Sequence, residues 1–105
     1  MTTGPLHWEL LFQSRAVDNQ VFTIGTAPAR NLNASYHSYG HSIIVSPWGK
    51  ILNQADFEET ALFTTINLNE ISLVREQIPL LRHRRLDIYE LTQKIKLINL
   101  HKIKK

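Results

Sequence analysis

The first residues of the chain carry apolar side chains at helical spacing, which predicts an amphipathic helix over residues 5–18. Pro5 suits the first turn of a helix because the N–H that proline lacks has no partner there. Thr3 or Gly4 is expected to cap the helix. The apolar positions on this predicted helix are Leu6, Leu10, Leu11 and Val17, with Trp8 nearby.

Runs of β-branched and aromatic residues follow and predict strands. Residues 47–50 read as a turn, because Pro47 presets a turn start and Gly49 tolerates a positive φ. The strands before and after this turn should therefore form a hairpin. The predicted strands cover residues 21–26, 42–46, 50–54 and 61–66.

A second helix is predicted over residues 70–77, with Asn69 as its cap and Pro79 beyond its end. Its buried stripe should consist of Ile71, Val74 and Ile78. The predicted order is therefore α-β-β-β-β-α, followed by a tail. The strands are apolar on both faces, as strands between two layers are, yet one or two helices can cover only one face.

Residues 27–40 form a long predicted loop, and loops of this length are usually functional or pack on a partner. His37 and His41 stand four apart, as two metal ligands on one helix face do. They lie in a loop, however, so we expect no metal site and instead expect His41 to begin a strand and hydrogen bond the backbone. Ser42 lacks the surroundings of a nucleophile elbow and is not expected to act in catalysis.

Composition narrows the possible classes of protein. The chain has 105 residues, 43% of them hydrophobic, which suits one small domain. It has no cysteine, which excludes disulfides, cysteine-bound metals and thiol catalysis by this chain. No apolar stretch is long enough for a membrane helix, and no secretory signal is evident, so we expect a cytoplasmic location, or a mitochondrial one.

Charge is concentrated at one end of the chain. Residues 82–105 contain eight basic and two acidic residues, a net charge of +6, whereas residues 1–81 have four basic and seven acidic residues, a net charge of −3. A basic end can bind nucleic acid or anionic lipid, but is more often a solvated surface. Arg82, Arg84 and Arg85 could clamp a substrate carboxylate or phosphate, but ion pairs at a surface or at a subunit contact are expected instead.

Several short motifs are spread over residues 1–90: Thr2-Thr3-Gly4-Pro5, His7-Trp8-Glu9-Leu10-Leu11, Arg15-Ala16-Val17-Asp18-Asn19-Gln20-Val21, Ala27-Pro28-Ala29-Arg30, Ser35-Tyr36, Gly40-His41-Ser42, Pro47-Trp48-Gly49 and Gln77-Ile78-Pro79. Together they resemble the segment that follows the catalytic cysteine of the nitrilase superfamily, the carbon–nitrogen hydrolases, and in particular its omega-amidase branch.

The resemblance implies an α/β fold, here the carboxy-terminal portion of an α-β-β-α sandwich with a mixed sheet and flanking helices. It also implies a Glu-Lys-Cys catalytic set, in which the cysteine forms a thioester with an amide carbonyl. Omega-amidases release ammonia from the terminal amides of 2-oxoglutaramate and 2-oxosuccinamate. No metal or organic cofactor is implied, and the complete protein is expected to form a homo-oligomer.

Carried over residue by residue, the resemblance assigns no catalytic residue to this chain, because all three lie upstream in the family. It places Thr2, Thr3 and Gly4 at the rim of the substrate pocket, with His7 and Trp8 behind them. We expect residues 1–90 to be part of a hydrolase domain and residues 91–105 to be a basic tail. Alone, the chain should be inactive.

Two alternatives remain for the function of the chain. It could be a non-catalytic module that pairs with a full-length subunit or another partner through an exposed sheet face. Nucleic-acid binding by residues 82–105 rests on charge alone and has no recognisable recognition fold, so no nucleic-acid partner and no membrane partner are expected.

Overall fold

The computed structural model describes residues 2–95 and contains two helices and three strands. Both predicted helices and the first three predicted strands are confirmed, although each strand is shorter than expected. Residues 96–105, most of the predicted basic tail, lie outside the described part of the chain. The elements are α1 (Gly4–Asn19), β1 (Thr23–Gly25), β2 (Ile43–Val45), β3 (Ile51–Gln54) and α2 (Asn69–Gln77).

Helix α1 begins as the sequence predicts, but without a side-chain cap. Thr3 occupies the N-cap position, yet its hydroxyl makes no capping hydrogen bond, and Pro5 lies in the first turn. The helix ends at Gln20, whose left-handed backbone (φ 55°) lets its N–H bond the carbonyls of Ala16 and Val17. The Gln20 side chain is buried and donates to the carbonyl of Ile78, 2.6 Å away, which ties α1 to the end of α2.

The three strands form an antiparallel sheet in the order β1-β2-β3. In the register of the sheet, Ile24 of β1 pairs with Ile44 of β2, and Ile44 pairs with Asn53 of β3. A bulge follows Ile44. Pairing within residues 2–95 is antiparallel throughout, so the mixed sheet expected for the family sandwich is not formed by these strands alone. The described residues combine this sheet with two helices, so the predicted α/β class is confirmed.

Helix α1 covers one face of the sheet and creates the core. Ala16, Ile43 and Val45 are fully buried, and three partly buried side chains pack against them. Gly25 is required at this contact because the ring of Phe12 occupies the space that any larger side chain would need. The partly buried residues at the core are Trp8, Phe12 and Ile51.

The opposite face of the sheet, which we call the outer face, is poorly covered. Ile24 is 61% exposed there, although Ile44 beside it is buried. A cavity of about 190 Å³ lies along this face, and the side chains that line it include Ile24, Ile44 and Leu62. Helix α1 packs on one face of the sheet, and the expectation that the other face lacks cover agrees with the structure of residues 2–95.

The predicted fourth strand is wrong. Residues 61–66 form no strand, although alternate side chains are half-buried and exposed, as in extended backbone. The carbonyl of Phe63 accepts a hydrogen bond from the Asn53 side chain at 3.3 Å. This single side-chain bond does not replace the series of backbone hydrogen bonds that defines a paired strand. Alternation in sequence favours extended backbone, whereas a strand also needs a neighbouring backbone, and residues 2–95 supply none at this position.

Helix α2 begins one residue earlier than predicted, and its predicted cap is wrong. Asn69 is the first helical residue and Leu68 holds the N-cap position. The side chain of Asn67 accepts a hydrogen bond from the Asn69 N–H at 3.1 Å, so an asparagine two positions earlier satisfies this donor. Val74 is buried, as the predicted stripe requires, while Ile78 remains partly exposed at the helix end.

The basic turn after α2 contains the surface ion pair that the sequence predicts. Arg85 donates two hydrogen bonds to the carboxylate of Asp87, at 2.9 and 2.7 Å. Arg84 instead donates to the carbonyl of Leu81 at 3.1 Å. Neither of the helices in the described residues is long and apolar enough to cross a membrane.

The Arg85–Asp87 pair leads to a pH prediction. The Arg85 guanidinium holds the pKa of the Asp87 carboxyl below its ordinary value. Because the pKa of this carboxyl is lower in the folded state than in the unfolded state, its ionisation stabilises the fold at any pH above the unfolded-state pKa. This stabilisation is lost as the pH falls through the folded-state pKa. Both side chains are 64% exposed, so the effect on stability should be small and weakened by salt.

The measurement is a carbon-13 NMR titration of the Asp87 carboxyl. We expect its midpoint to lie below that of an unpaired aspartate and to return to the ordinary range in Arg85→Gln. Arg84→Gln, one residue away, is the matched control and should leave the midpoint in place. Equal midpoints in the parent chain and Arg85→Gln would show that the pair does not form in solution.

Candidate functional site

A cavity of about 570 Å³ lies between the start of α1 and the loop formed by residues 27–40. This size falls in the range of small-molecule sites. Its polar side chains are hydroxyls, and none of the residues that line it carries a charge. The residues that line it include Thr2, Thr3, Gly4, Trp8, Tyr36 and Tyr39.

The structure brings four of the five predicted site residues to this cavity. Thr2, Thr3 and Gly4 line it at the start of α1, and Trp8 lines it one turn further along. His7 is exposed and is not among the lining residues, because successive helical residues point in different directions. The sequence analysis assigns no role to Tyr36 or Tyr39, although Ser35-Tyr36 is one of the motifs and both tyrosines lie in the long predicted loop.

Trp8 connects α1 to the strand side of the cavity. Its indole N–H donates to the carbonyl of His41 at 2.6 Å, and its ring meets Phe12 edge-on, with centroids 4.7 Å apart. Phe12 in turn packs on the core. Trp8 is therefore both a wall of the cavity and a link between the helix and the residues before β2.

The backbone turns sharply at Gly40 and His41, which both have positive φ values, 74° and 62°. The His41 N–H donates to the carbonyl of Asp56 at 3.0 Å. The His41 ring lies 2.6 Å (Nδ1) from the carbonyl of Tyr39 and stacks on the Tyr39 ring at 3.9 Å. The predicted backbone hydrogen bonding of His41 is confirmed, although β2 itself begins two residues later.

The His37 and His41 rings do not converge on a shared position where a metal ion could bind. The His37 ring contacts the carbonyl of Leu32 at 3.3 Å, whereas His41 contacts Tyr39 and, at 3.7 Å, the carboxylate of Asp56. Across residues 2–95, no three histidine or acidic side chains form a group that could hold a metal ion.

Arg30 holds the loop in place from inside. Its guanidinium donates to the carbonyls of Ser38 and Tyr39, at 2.9 and 3.2 Å, and lies 4.4 Å from the centroid of the Phe57 ring. The backbone N–H of Arg30 donates to the carbonyl of Phe57 at 2.8 Å. Because five donors on one planar group can satisfy several carbonyls at once, Arg30 fixes the backbone that carries Tyr39.

Ser42 also has a structural role. Its hydroxyl accepts a hydrogen bond from the Ala27 N–H at 3.0 Å and lies 3.3 Å from the Ala27 carbonyl. These bonds connect the start of the loop to the residue before β2. They commit the hydroxyl to the backbone, which agrees with the expectation that Ser42 is not a nucleophile.

The comparisons with known proteins identify the class of protein. Residues 1–76 match the family model of the carbon-nitrogen hydrolases. This match covers more than half of the chain, which therefore belongs to the carbon–nitrogen hydrolase family. The resemblance predicted from the sequence motifs is confirmed.

Within the family, similar curated proteins are omega-amidases. Omega-amidase NIT2 of Mus musculus is 49% identical over 94 residues, and omega-amidase NIT2-A of Xenopus laevis is 52% identical over 94 residues. In both cases the match covers 90% of this chain and 34% of the relative. The chain thus spans about a third of the length of the curated relatives it matches.

Solved structures agree with this assignment. Nit3 of Saccharomyces cerevisiae, a member of branch 10 of the nitrilase superfamily, has a TM-score of 0.76 and 49% sequence identity, covering 81% of this chain and 31% of that one. A carbon-nitrogen hydrolase from Helicobacter pylori has a TM-score of 0.62 and 27% identity over 78% of this chain and 30% of its own.

Proposed function

We propose that this chain supplies the carboxy-terminal part of an amide-hydrolysing site of the omega-amidase type. The observation that carries the proposal is the placement of Thr2, Thr3 and Gly4 on one wall of the large cavity, in a chain about half identical to curated omega-amidases. On this proposal residues 1–90 belong to the hydrolase domain, the tail is separate, and the protein works in the cytoplasm.

The reaction is the hydrolysis of the terminal amide of a 2-oxo acid, such as 2-oxoglutaramate, to the dicarboxylic oxo-acid and ammonia. A cysteine thiolate attacks the amide carbonyl, and the resulting thioester is then hydrolysed by water. The cysteine, its glutamate and its lysine come from the part of the domain that precedes this segment in the family. This chain contains no cysteine, so alone it should not turn over the substrate.

A complementation experiment tests the proposal. The purified chain is refolded with the portion of the Mus musculus relative that it does not match, and ammonia release from 2-oxoglutaramate is measured. We expect no activity from either piece alone and measurable activity from the complex, because only the complex contains both the nucleophile and the rim residues. The matched control replaces the relative's nucleophilic cysteine with alanine and should abolish activity.

Two results would contradict the proposal. Turnover by the isolated chain would show that the reaction does not need the missing thiol. A complex that forms but remains inactive, as judged by size and by ammonia release, would show that this chain does not complete the site.

The second candidate function is a non-catalytic module that binds a full-length hydrolase subunit. The exposed side chains on and beside the outer face favour it, since Ile24 is 61% exposed and Phe63 is 86% exposed. Binding to the intact relative without any change in its activity would support this function. We expect no binding to DNA or RNA, because a basic tail alone provides no recognition fold.

A further inference from the structure

We propose that Tyr39 is a substrate-contacting residue, whose phenol hydrogen bonds the uncharged amide end of the substrate in the cavity beside Thr2 and Thr3. The identity of the ligand rests on the proposed function. The choice of Tyr39 rests on its own contacts, which fix the ring before any ligand arrives.

The Tyr39 ring is held by two neighbours. Gly4 approaches so closely that a Cβ added there would lie 2.6 Å from both the Cβ and the Cγ of Tyr39. The His41 ring stacks on the Tyr39 ring at 3.9 Å, with an angle of 13° between their planes. Only glycine at position 4 permits this contact, so the start of α1 and the tyrosine are fitted to each other.

The backbone of Tyr39 is fixed as well. Its carbonyl contacts the His41 ring at 2.6 Å and the Arg30 guanidinium at 3.2 Å. A side chain with an anchored backbone and a stacked ring has little rotational freedom left to lose. Binding through such a group therefore costs less entropy than binding through a mobile side chain.

The Tyr39 hydroxyl is free to bind a ligand, unlike the Ser38 hydroxyl in the same loop. Within the described part of the chain no hydrogen bond engages it, and no buried side-chain polar atom there is left without a partner, so the hydroxyl of this half-buried residue is accessible. The Ser38 hydroxyl, by contrast, donates to the carbonyl of Pro28 at 2.9 Å and accepts from the Gly40 N–H at 3.1 Å. Tyr36 also lines the cavity, but it is 75% exposed, without a stacked neighbour among residues 2–95.

The chemistry of the wall selects the class of ligand. The residues that line it bring hydroxyls and backbone groups but no charged side chain. A carboxylate placed there would meet no cationic side chain, only hydroxyls and the backbone N–H groups at the start of α1. A primary amide can use the hydroxyls and carbonyls as acceptors for its NH₂ group as well as the donors for its oxygen. This wall therefore suits the amide end of an oxo-acid amide, and the carboxylate end must be recognised elsewhere.

Titration of the isotope-labelled chain by NMR tests the inference, with propionamide as the probe and propionate, of similar shape, as its charged counterpart. We expect saturable shifts of the Gly4, Tyr39 and Gly40 amides with propionamide and binding at least tenfold weaker with propionate. Tyr39→Phe keeps the ring stacked and should weaken propionamide binding about fivefold, as the loss of one hydrogen bond does. Tyr36→Phe is the matched control and should bind like the parent chain.

Three results would overturn the inference: parent-like binding by Tyr39→Phe with an unchanged spectrum, equal binding of propionate and propionamide, or no saturable shifts at these amides. Its failure is separable from that of the proposed function. An active complementation complex with Tyr39-independent binding refutes only the role of Tyr39. An inactive complex with Tyr39-dependent amide binding refutes only the hydrolase proposal.

Discussion

Replacing Gly40 with alanine is expected to lower the free energy of unfolding by about 3 kcal/mol, the upper end of the cost of left-handed backbone strain. Gly40 has a φ of 74°, a conformation that side chains disfavour. A Cβ there would also lie 2.7 Å from the Cα of Phe57 and 3.1 Å from the carbonyl oxygen of Asp56. Both obstacles are backbone atoms, so no side-chain rotation can relieve the clash.

Gly49→Ala is the matched control for this prediction. Gly49 has a similar φ of 83°, but a Cβ there would meet only the Cγ2 of Val17, at 2.9 Å, which can rotate away. We expect a loss of about 1 kcal/mol from the backbone conformation alone. Urea unfolding followed by circular dichroism measures both variants. Equal losses would show that contact with Phe57 adds nothing to the cost at Gly40.

Ile43→Ala is expected to lower the free energy of unfolding by about 3 kcal/mol. Ile43 is fully buried between β2 and α1, so its truncation leaves a cavity in the only core cluster formed within residues 2–95. The surrounding strands are held by backbone pairing and cannot collapse into the space. Urea unfolding of the isolated chain gives the value directly.

Ile24→Ala is the control for the core prediction, because the same deletion is made on the neighbouring strand but on the outer face. Ile24 is 61% exposed, and we expect a change within about 0.5 kcal/mol. A loss at Ile24 as large as that at Ile43 would mean that the isolated chain covers its outer face in solution, for example by self-association.

The elements that local pattern predicts are those whose structure depends on local contacts. Helix α1 follows from apolar spacing and Pro5, and the β2–β3 hairpin follows from its turn residues. Residues 61–66 have the right alternation but no backbone neighbour among the described residues, so the strand prediction fails there. The cap of α2 fails for a different reason, since the competing asparagine, Asn67, lies two positions from the predicted one.

The candidate site was predicted in part for the same physical reason. Thr2, Thr3 and Gly4 belong to a contiguous motif, which a sequence displays directly. The position of Tyr39 depends on contacts with Gly4, which is distant in sequence, and with Arg30, which lies earlier in the same loop; both contacts form only in the folded chain. Loop length predicted that the region matters, but no local pattern indicated which tyrosine is fixed.

The uncovered outer face has a consequence for the life of the protein inside a cell. Exposed apolar side chains such as Ile24 on an incompletely covered sheet are what chaperones and quality-control proteases bind. Strands with unpaired edges also promote aggregation at high concentrations of the chain, because the edges of two copies can pair. The half-life of the chain should therefore depend on how quickly another surface shields this face, so that its abundance follows the supply of that surface rather than its own rate of synthesis.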